Sequence, residues 1–205
     1  METELQNGPV FPLLSIARLR MGTDGTGVTT LVAGAGCPLC CRWCINRKLL
    51  RDAPAEYVTA SELLDRVKID DLYFRTTGGG ITFGGGESLL HADFIAAFRK
   101  ICPQEWRIVA ETSLAVPAES VKIAAENVSF FLVDCKDMDE RIYRSYTGGD
   151  AERMKANLRY LIGTVGPERI LVRVPHIPEY NTEADQKRSL SELRAMGIEN
   201  TEVFD

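Results

Sequence analysis

Histidine is nearly absent from this 205-residue chain, which carries only His91 and His176. A histidine-rich zinc site or a simple His-based nucleophilic triad therefore has little to draw on. No apolar run approaches the ~18–20 residues needed to cross a bilayer, so no membrane span is expected. Positive charge is also in short supply. Lys and Arg number 24 against 29 Asp and Glu, a net charge of -5, which argues against a broad phosphate-binding surface and hence against nucleic acid as a partner. The N-terminal Met1-Glu2-Thr3-Glu4 is acidic where an export signal is basic, so a cytoplasmic protein is expected. Hydrophobic residues at 45% and charged residues at 26% match ordinary globular chains and exclude a disordered one. The length suits one domain with its own core.

Cysteine is unevenly placed. Four of the 6 cysteines, Cys37, Cys40, Cys41 and Cys44, fall within eight residues, while Cys102 and Cys135 stand alone. A disulfide scaffold spreads its cysteines to close long loops, and adjacent Cys40 and Cys41 cannot pair without strain. In a reducing compartment such a cluster is more often metal-binding or catalytic. Structural zinc wants two ligand pairs a dozen or more residues apart, and no second pair exists. An iron–sulfur cluster suits the spacing, and buried free thiols are the plain alternative.

Along the chain, short apolar runs alternate with amphipathic segments. Strands are expected at 29–33, 81–83, 107–110, 130–133, 170–174 and 202–204, with helices between them. Thr59-Ala-Ser-Glu62 is a capping box that opens one helix, and Gly197 closes another. This alternation predicts an α/β fold: an incomplete parallel barrel of about six βα units, a partial (β/α)6-type barrel. Polar groups gather where these strands end, at Cys37–Cys44, Gly85-Gly86-Glu87, Glu111, Asp134, Lys136 and Arg173. Parallel α/β folds build their active sites there. Taken singly, several have ordinary explanations. Asp134 would cap a helix, Lys136 would be solvated, Arg173 would form a surface ion pair, Trp43 would be core, and the glycines would form a tight turn.

Together these motifs resemble those of the radical S-adenosylmethionine (SAM) enzymes. Cys37-Pro-Leu-Cys-Cys41-Arg-Trp-Cys44 matches their Cys-x-x-x-Cys-x-x-Cys signature. Asp24-Gly25-Thr26-Gly27, Gly78 through Ser88, Asp134-Cys-Lys136 and Arg173 through Asn181 are similar, in order, to motifs of the glycyl radical enzyme activating branch. The resemblance implies a core domain over 24–205 preceded by an N-terminal extension, 1–23. It implies one 4Fe–4S cluster held by Cys37, Cys41 and Cys44 with Cys40 spare, and SAM chelated at the open iron. Trp43, Gly85, Gly86, Glu87, Glu111, Asp134, Lys136 and Arg173 would then bind the cofactor. Glu111, Asp134 and Lys136 would also act in catalysis, near a substrate backbone or a monovalent cation.

The implied partners are a glycyl radical enzyme, or another peptide, and a flavodoxin- or ferredoxin-type electron donor. A radical SAM enzyme acting on a peptide, nucleoside or small molecule is the second reading, and a non-catalytic iron–sulfur module the third. Departures from the branch pattern are Ile45 for His, Thr26 for Pro, Glu179 for Gly, and Leu114 where Gly is common. The chain also stops at Asp205 without the branch's Leu-Pro-Tyr-His-like segment, which implies either a naturally short member or a chain truncated at the last strand.

Overall fold

The expected alternation resolves into an open, mostly parallel sheet. The computed structural model describes residues 8–204; the acidic Met1–Glu4 run lies outside them. The strands are β1 (Phe11–Met21), β2 (Val28–Gly34), β3 (Glu56–Val58), β4 (Gly80–Gly85), β5 (Arg107–Thr112), β6 (Phe130–Asp134), β7 (Ile170–Pro175) and β8 (Thr201–Phe204). The helices are α1 (Arg47–Asp52), α2 (Ala60–Val67), α3 (Asp71–Thr77), α4 (Ala92–Ile101), α5 (Ala118–Asn127), α6 (Glu140–Thr147), α7 (Ala151–Val165) and α8 (Glu183–Ala195). Sheet order is β3-β1-β2-β4-β5-β6-β7-β8, with β2 and β4 to β8 parallel throughout. Its end strands, β3 and β8, do not pair. The structure is thus a partial (β/α)6-type barrel with one open side. Among the described residues no helix is long and apolar enough to cross a membrane.

Alternation along the strands sorts their side chains onto two faces. Val32, Ile81, Phe83, Ile108, Ala110, Phe131, Val133, Ile170 and Val172 pack outward into the helix layer as one core. The opposite residues, among them Thr82, Glu111, Leu132, Asp134, Arg173 and Glu202, share the other face. Cross-strand register sets Asp134, Arg173 and Glu202 side by side at the upper ends of β6, β7 and β8. Helix starts follow local chemistry. Thr59 and Glu62 form the expected capping box on α2, and the Asp139 carboxylate accepts from Arg141 N and Ile142 N to start α6.

Of the features that went unread in the sequence, two matter most here. Within the stretch taken as an extension, β1 pairs antiparallel with both β2 and β3. Its Phe11 is fully buried, 5.7 Å from Phe83 and 5.0 Å from Phe94, a burial that contributes about 2 kcal/mol. The second feature is α6, which forms the seat of the cysteine loop.

Candidate active site

The cysteine segment leaves β2 and is fastened on three sides. Cys40 N and Arg42 N donate to the carbonyls of Thr147 and Tyr146 at the end of α6, at 2.8 and 3.0 Å. Asn46 Nδ2 donates to Gly85 O at the end of β4, at 2.7 Å. Arg47 Nη2 reaches back to the carbonyls of Cys41 and Arg42 at 2.8 and 2.7 Å. The neighbouring β4 turn is stitched to the same loop by Gly86 N to Gly34 O, 3.0 Å, and Glu87 N to Gly36 O, 2.8 Å. A Cβ on Gly86 would lie 2.1 Å from Gly36 O. These glycines were expected to bring backbone close to a ligand; within the fold Gly85 also packs tightly on Ala33 of β2, and Gly86 on the start of the cysteine loop.

Above the strand ends lies a cleft of about 440 Å³. Cys37, Cys41 and Cys44 line it, together with Trp43, Gly85, Gly86, Glu87, Glu111, Asp134, Lys136 and Arg173. Every residue singled out from the sequence as a site candidate therefore reaches one cavity. Cys40 does not line it; it lines an adjoining recess of about 480 Å³, to which Cys37, Cys41 and Cys44 also contribute, together with Arg42, Arg47 and Arg51. Trp43 is 58% exposed and stands on the rim, so it is not the core tryptophan of the ordinary reading.

The charged residues form two pairs. Lys136 Nζ sits 3.1 Å from Asp134 Oδ2, so Asp134 caps no helix and Lys136 is not freely solvated. Burial works to lower the Lys136 pKa, but Asp134 and the nearby Cys41 outweigh it and hold the ammonium above its ordinary value. Arg173 Nη1 donates to Glu111 Oε1 at 3.0 Å and Nε to Glu202 Oε2 at 3.3 Å, while Nη2 donates to Thr23 O. This guanidinium was expected to meet the cofactor. In this fold three of its N–H groups tie β5, β7, β8 and the β1–β2 loop together, while the side chain also lines the cleft. Burial raises the Glu111 carboxyl above its usual range, with Arg173 opposing.

Glu87 is likewise engaged within the fold. It is 2% exposed, and its carboxylate accepts from Leu89 N, Thr112 Oγ1, Ser113 N and Ser113 Oγ at 3.1, 2.6, 2.8 and 2.6 Å. A carboxylate so saturated is a strut between the β4 and β5 exits rather than a charge free to face a ligand. Burial pushes its pKa up while these donors pull it down. Asn46, Thr112, Ser113 and Tyr146 also line the cavity and were not foreseen. Thr112 and Ser113 directly follow Glu111 at a strand end, a placement that signals them.

Burial raises the Cys37 thiol, and raises Cys41 to about 11. Among the described residues no three His, Cys, Asp or Glu side chains converge tightly enough for a single metal ion. A multi-iron cluster spreads its ligands over separate irons, so it asks for a wider set. Three thiols on one cavity wall, together with a lysine, are chemically suited to it. The raised thiols lose their protons once a cation supplies the compensating charge.

Comparison with known proteins gives consistent results. The profile of the Radical SAM superfamily matches residues 31–201. Pyruvate formate-lyase 2-activating enzyme of Escherichia coli (strain K12) is 30% identical, over 95% of this chain and 77% of the relative. Pyruvate formate-lyase-activating enzyme of Clostridium pasteurianum is 32% identical, over 61% of this chain and 52% of the relative. The chain thus spans about half of the second relative and three quarters of the first. Among solved structures, a radical SAM methyltransferase from Sphaerobacter thermophilus superimposes with a TM-score of 0.63 at 18% identity, over 98% of this chain and 69% of that one. That last likeness bears on the fold alone.

Proposed function

The chain belongs to the radical SAM superfamily, and from that premise we propose that it is an activating enzyme for a glycyl radical partner. It would cleave SAM reductively at a 4Fe–4S cluster and abstract hydrogen from a glycine of that protein. One observation carries the assignment of the cluster. Of four clustered cysteines, Cys37, Cys41 and Cys44 line the strand-end cleft and Cys40 does not. When bound, the cluster supplies one electron to SAM, whose cleavage yields the hydrogen-abstracting 5′-deoxyadenosyl radical.

The chain's own residues hold and shield this chemistry. Cys37, Cys41 and Cys44 ligate, and Lys136 offsets the charge that accumulates beside Cys41. Gly85 and Gly86 present backbone at the cleft, with Asn46 holding the Gly85 carbonyl and Glu87 bracing the adjoining β5 exit. Asp134 and Glu111 bring carboxylates to the cavity, suited to the cationic sulfonium, to a monovalent cation or to substrate amides. Arg173 orients Glu111, and Trp43 offers an aromatic face on the rim. The open side of the barrel leaves room for a peptide loop to enter. A flavodoxin- or ferredoxin-type donor in the cytoplasm would supply electrons from the side of Arg42, Arg47 and Arg51.

Anaerobic reconstitution with iron and sulfide, followed by measurement of 5′-deoxyadenosine with a reductant present, tests this reading. The parent and Cys40→Ala should show the broad thiolate-to-iron absorption near ~400 nm and turn over SAM. Cys41→Ala should do neither. Retention of the cluster in Cys41→Ala with its loss in Cys40→Ala would overturn the ligand assignment.

A further inference from the structure

Three oxygen groups from separate segments converge on one point at the rim of the cleft. They are the carboxylates of Glu111 on β5 and Glu202 on β8, and the Thr23 carbonyl of the β1–β2 loop. Oxygens gathered in this way repel one another unless a positive charge stands between them. Metal cations of the hard kind are held by just such carboxylates and carbonyls. The set would therefore suit the monovalent cation that the resemblance to the activating branch implies.

In this chain the place is filled. Arg173 Nη1 donates to Glu111 Oε1 at 3.0 Å, Nε to Glu202 Oε2 at 3.3 Å, and Nη2 to Thr23 O. The side chain is only 17% exposed. Neighbouring acidic groups have protein cations of their own. Both carboxylate oxygens of Asp24 accept from Arg20, and its carbonyl accepts from Thr82 Oγ1 at 2.8 Å. Asp134 pairs with Lys136. The second Glu111 oxygen is pressed against β4, where a Cβ on Gly84 would lie 2.4 Å from it. Burial works to lower the Arg173 pKa, but Glu111, Asp134 and Glu202 outweigh it and hold it raised, so the charge is permanent. An ion from the medium would have to displace a guanidinium held by three partners, and the residues present do not fit one.

We propose that the Arg173 guanidinium is the built-in cation of this cleft, taking the place of a monovalent metal ion and making SAM binding independent of the alkali cations in the medium. The proposal rests on the reading of the cleft as the SAM site. Arg173 is thereby a positioning residue: it neutralises Glu111 and Glu202 and holds the β1–β2 loop against the strand ends. A free ion leaves when salt is diluted, whereas a guanidinium tethered to β7 stays at the site. The sulfonium and substrate amides then remain as partners for the cleft's carboxylates.

The test exchanges the cation of the medium at constant ionic strength, from sodium or potassium chloride to tetramethylammonium chloride, whose cation is too bulky to sit among the three oxygens. The metal-free parent should melt within ~1 °C of the same temperature in all three salts. SAM affinity of the reconstituted parent, read by calorimetric titration, should agree within about twofold. Arg173→Met vacates the three oxygens and should create the dependence that the parent lacks. Relative to the parent, the metal-free variant should melt roughly 3–5 °C higher in sodium or potassium than in tetramethylammonium, the gain expected with salt at about ten times the ion's dissociation constant. After reconstitution its SAM affinity should fall about tenfold in tetramethylammonium and recover in potassium. A parent whose melting temperature or SAM affinity depends on sodium or potassium overturns the proposal, because an alkali cation then binds beside Arg173. So does an Arg173→Met variant as indifferent to the salt as the parent. Should that variant not fold, the parent's response decides alone. A parent that assembles no cluster overturns the functional reading, while the metal-free salt comparison still judges the guanidinium.

Discussion

Replacing Glu87 by alanine strips four donors of their acceptor in one step. Leu89 N and Ser113 N belong to fixed backbone, and no other group stands ready to receive them. The hydroxyls of Thr112 and Ser113 can turn elsewhere; each already accepts a backbone N–H of its own loop, from Leu114 and Ala115. At about 1–3 kcal/mol for each buried donor left unpaired, the two amides dominate, and a loss of about 3–5 kcal/mol is expected once the hydroxyls readjust. For a domain of this size each kcal/mol moves the melting temperature by roughly 2–4 °C, so the metal-free Glu87→Ala variant should melt about 10–15 °C below the parent. Glu87→Gln keeps one carbonyl acceptor and should fall between the two. Calorimetric titration of the reconstituted Gln variant with SAM then separates support from direct contact. An Ala variant that melts within ~2 °C of the parent but binds SAM weakly would refute the strut and restore Glu87 as a binding charge.

Other consequences follow from particular contacts. Glu179, exposed and at φ 71°, pays the left-handed penalty for a side-chain-bearing residue, so Glu179→Gly should stabilise the protein by about 1 kcal/mol in a denaturant titration. Asn46→Ala releases the cysteine loop from Gly85 and should cost about 1 kcal/mol, with faster proteolytic cleavage within residues 40–47 of the metal-free protein. Burial raises the Glu111 carboxyl in the folded state, so its contribution is fully present below the ordinary carboxylate range and is lost as pH rises through the raised folded value. Glu111→Gln should therefore flatten the fall in metal-free stability just above that range, as read by melting at successive pH values.

The strands with continuous apolar runs were legible because burial on both sides of a parallel sheet leaves one simple pattern. By contrast, β1 reads Phe-Pro-Leu-Leu-Ser-Ile-Ala-Arg-Leu-Arg-Met and changes register with β2 between Leu13 and Ser15 and again between Ala17 and Arg20. Each shift breaks the period of two on which a strand is recognised. Helix α3 escaped for a related reason, since Phe74 is its only buried residue and gives no periodicity to read. At the site, position was visible and occupancy was not. A polar residue ending each of several successive strands must face one mouth, and that placed Glu111, Asp134 and Arg173 together without any knowledge of their contacts. Nothing in a linear string, however, says which hydrogen-bonding capacity is already spent. Arg173 and Glu87 were expected to bind the cofactor, and the fold uses both to join strand exits as well. The departures from the branch pattern carry a complementary lesson. Leu114 and Glu179 stand where glycine is usual, and both adopt positive φ, 56° and 71°. The turn geometry has thus been kept while its usual residue was exchanged. At Leu114, complete burial offsets the strain with packing, whereas exposed Glu179 has no such return. The same backbone requirement therefore predicts opposite outcomes for glycine at the two sites.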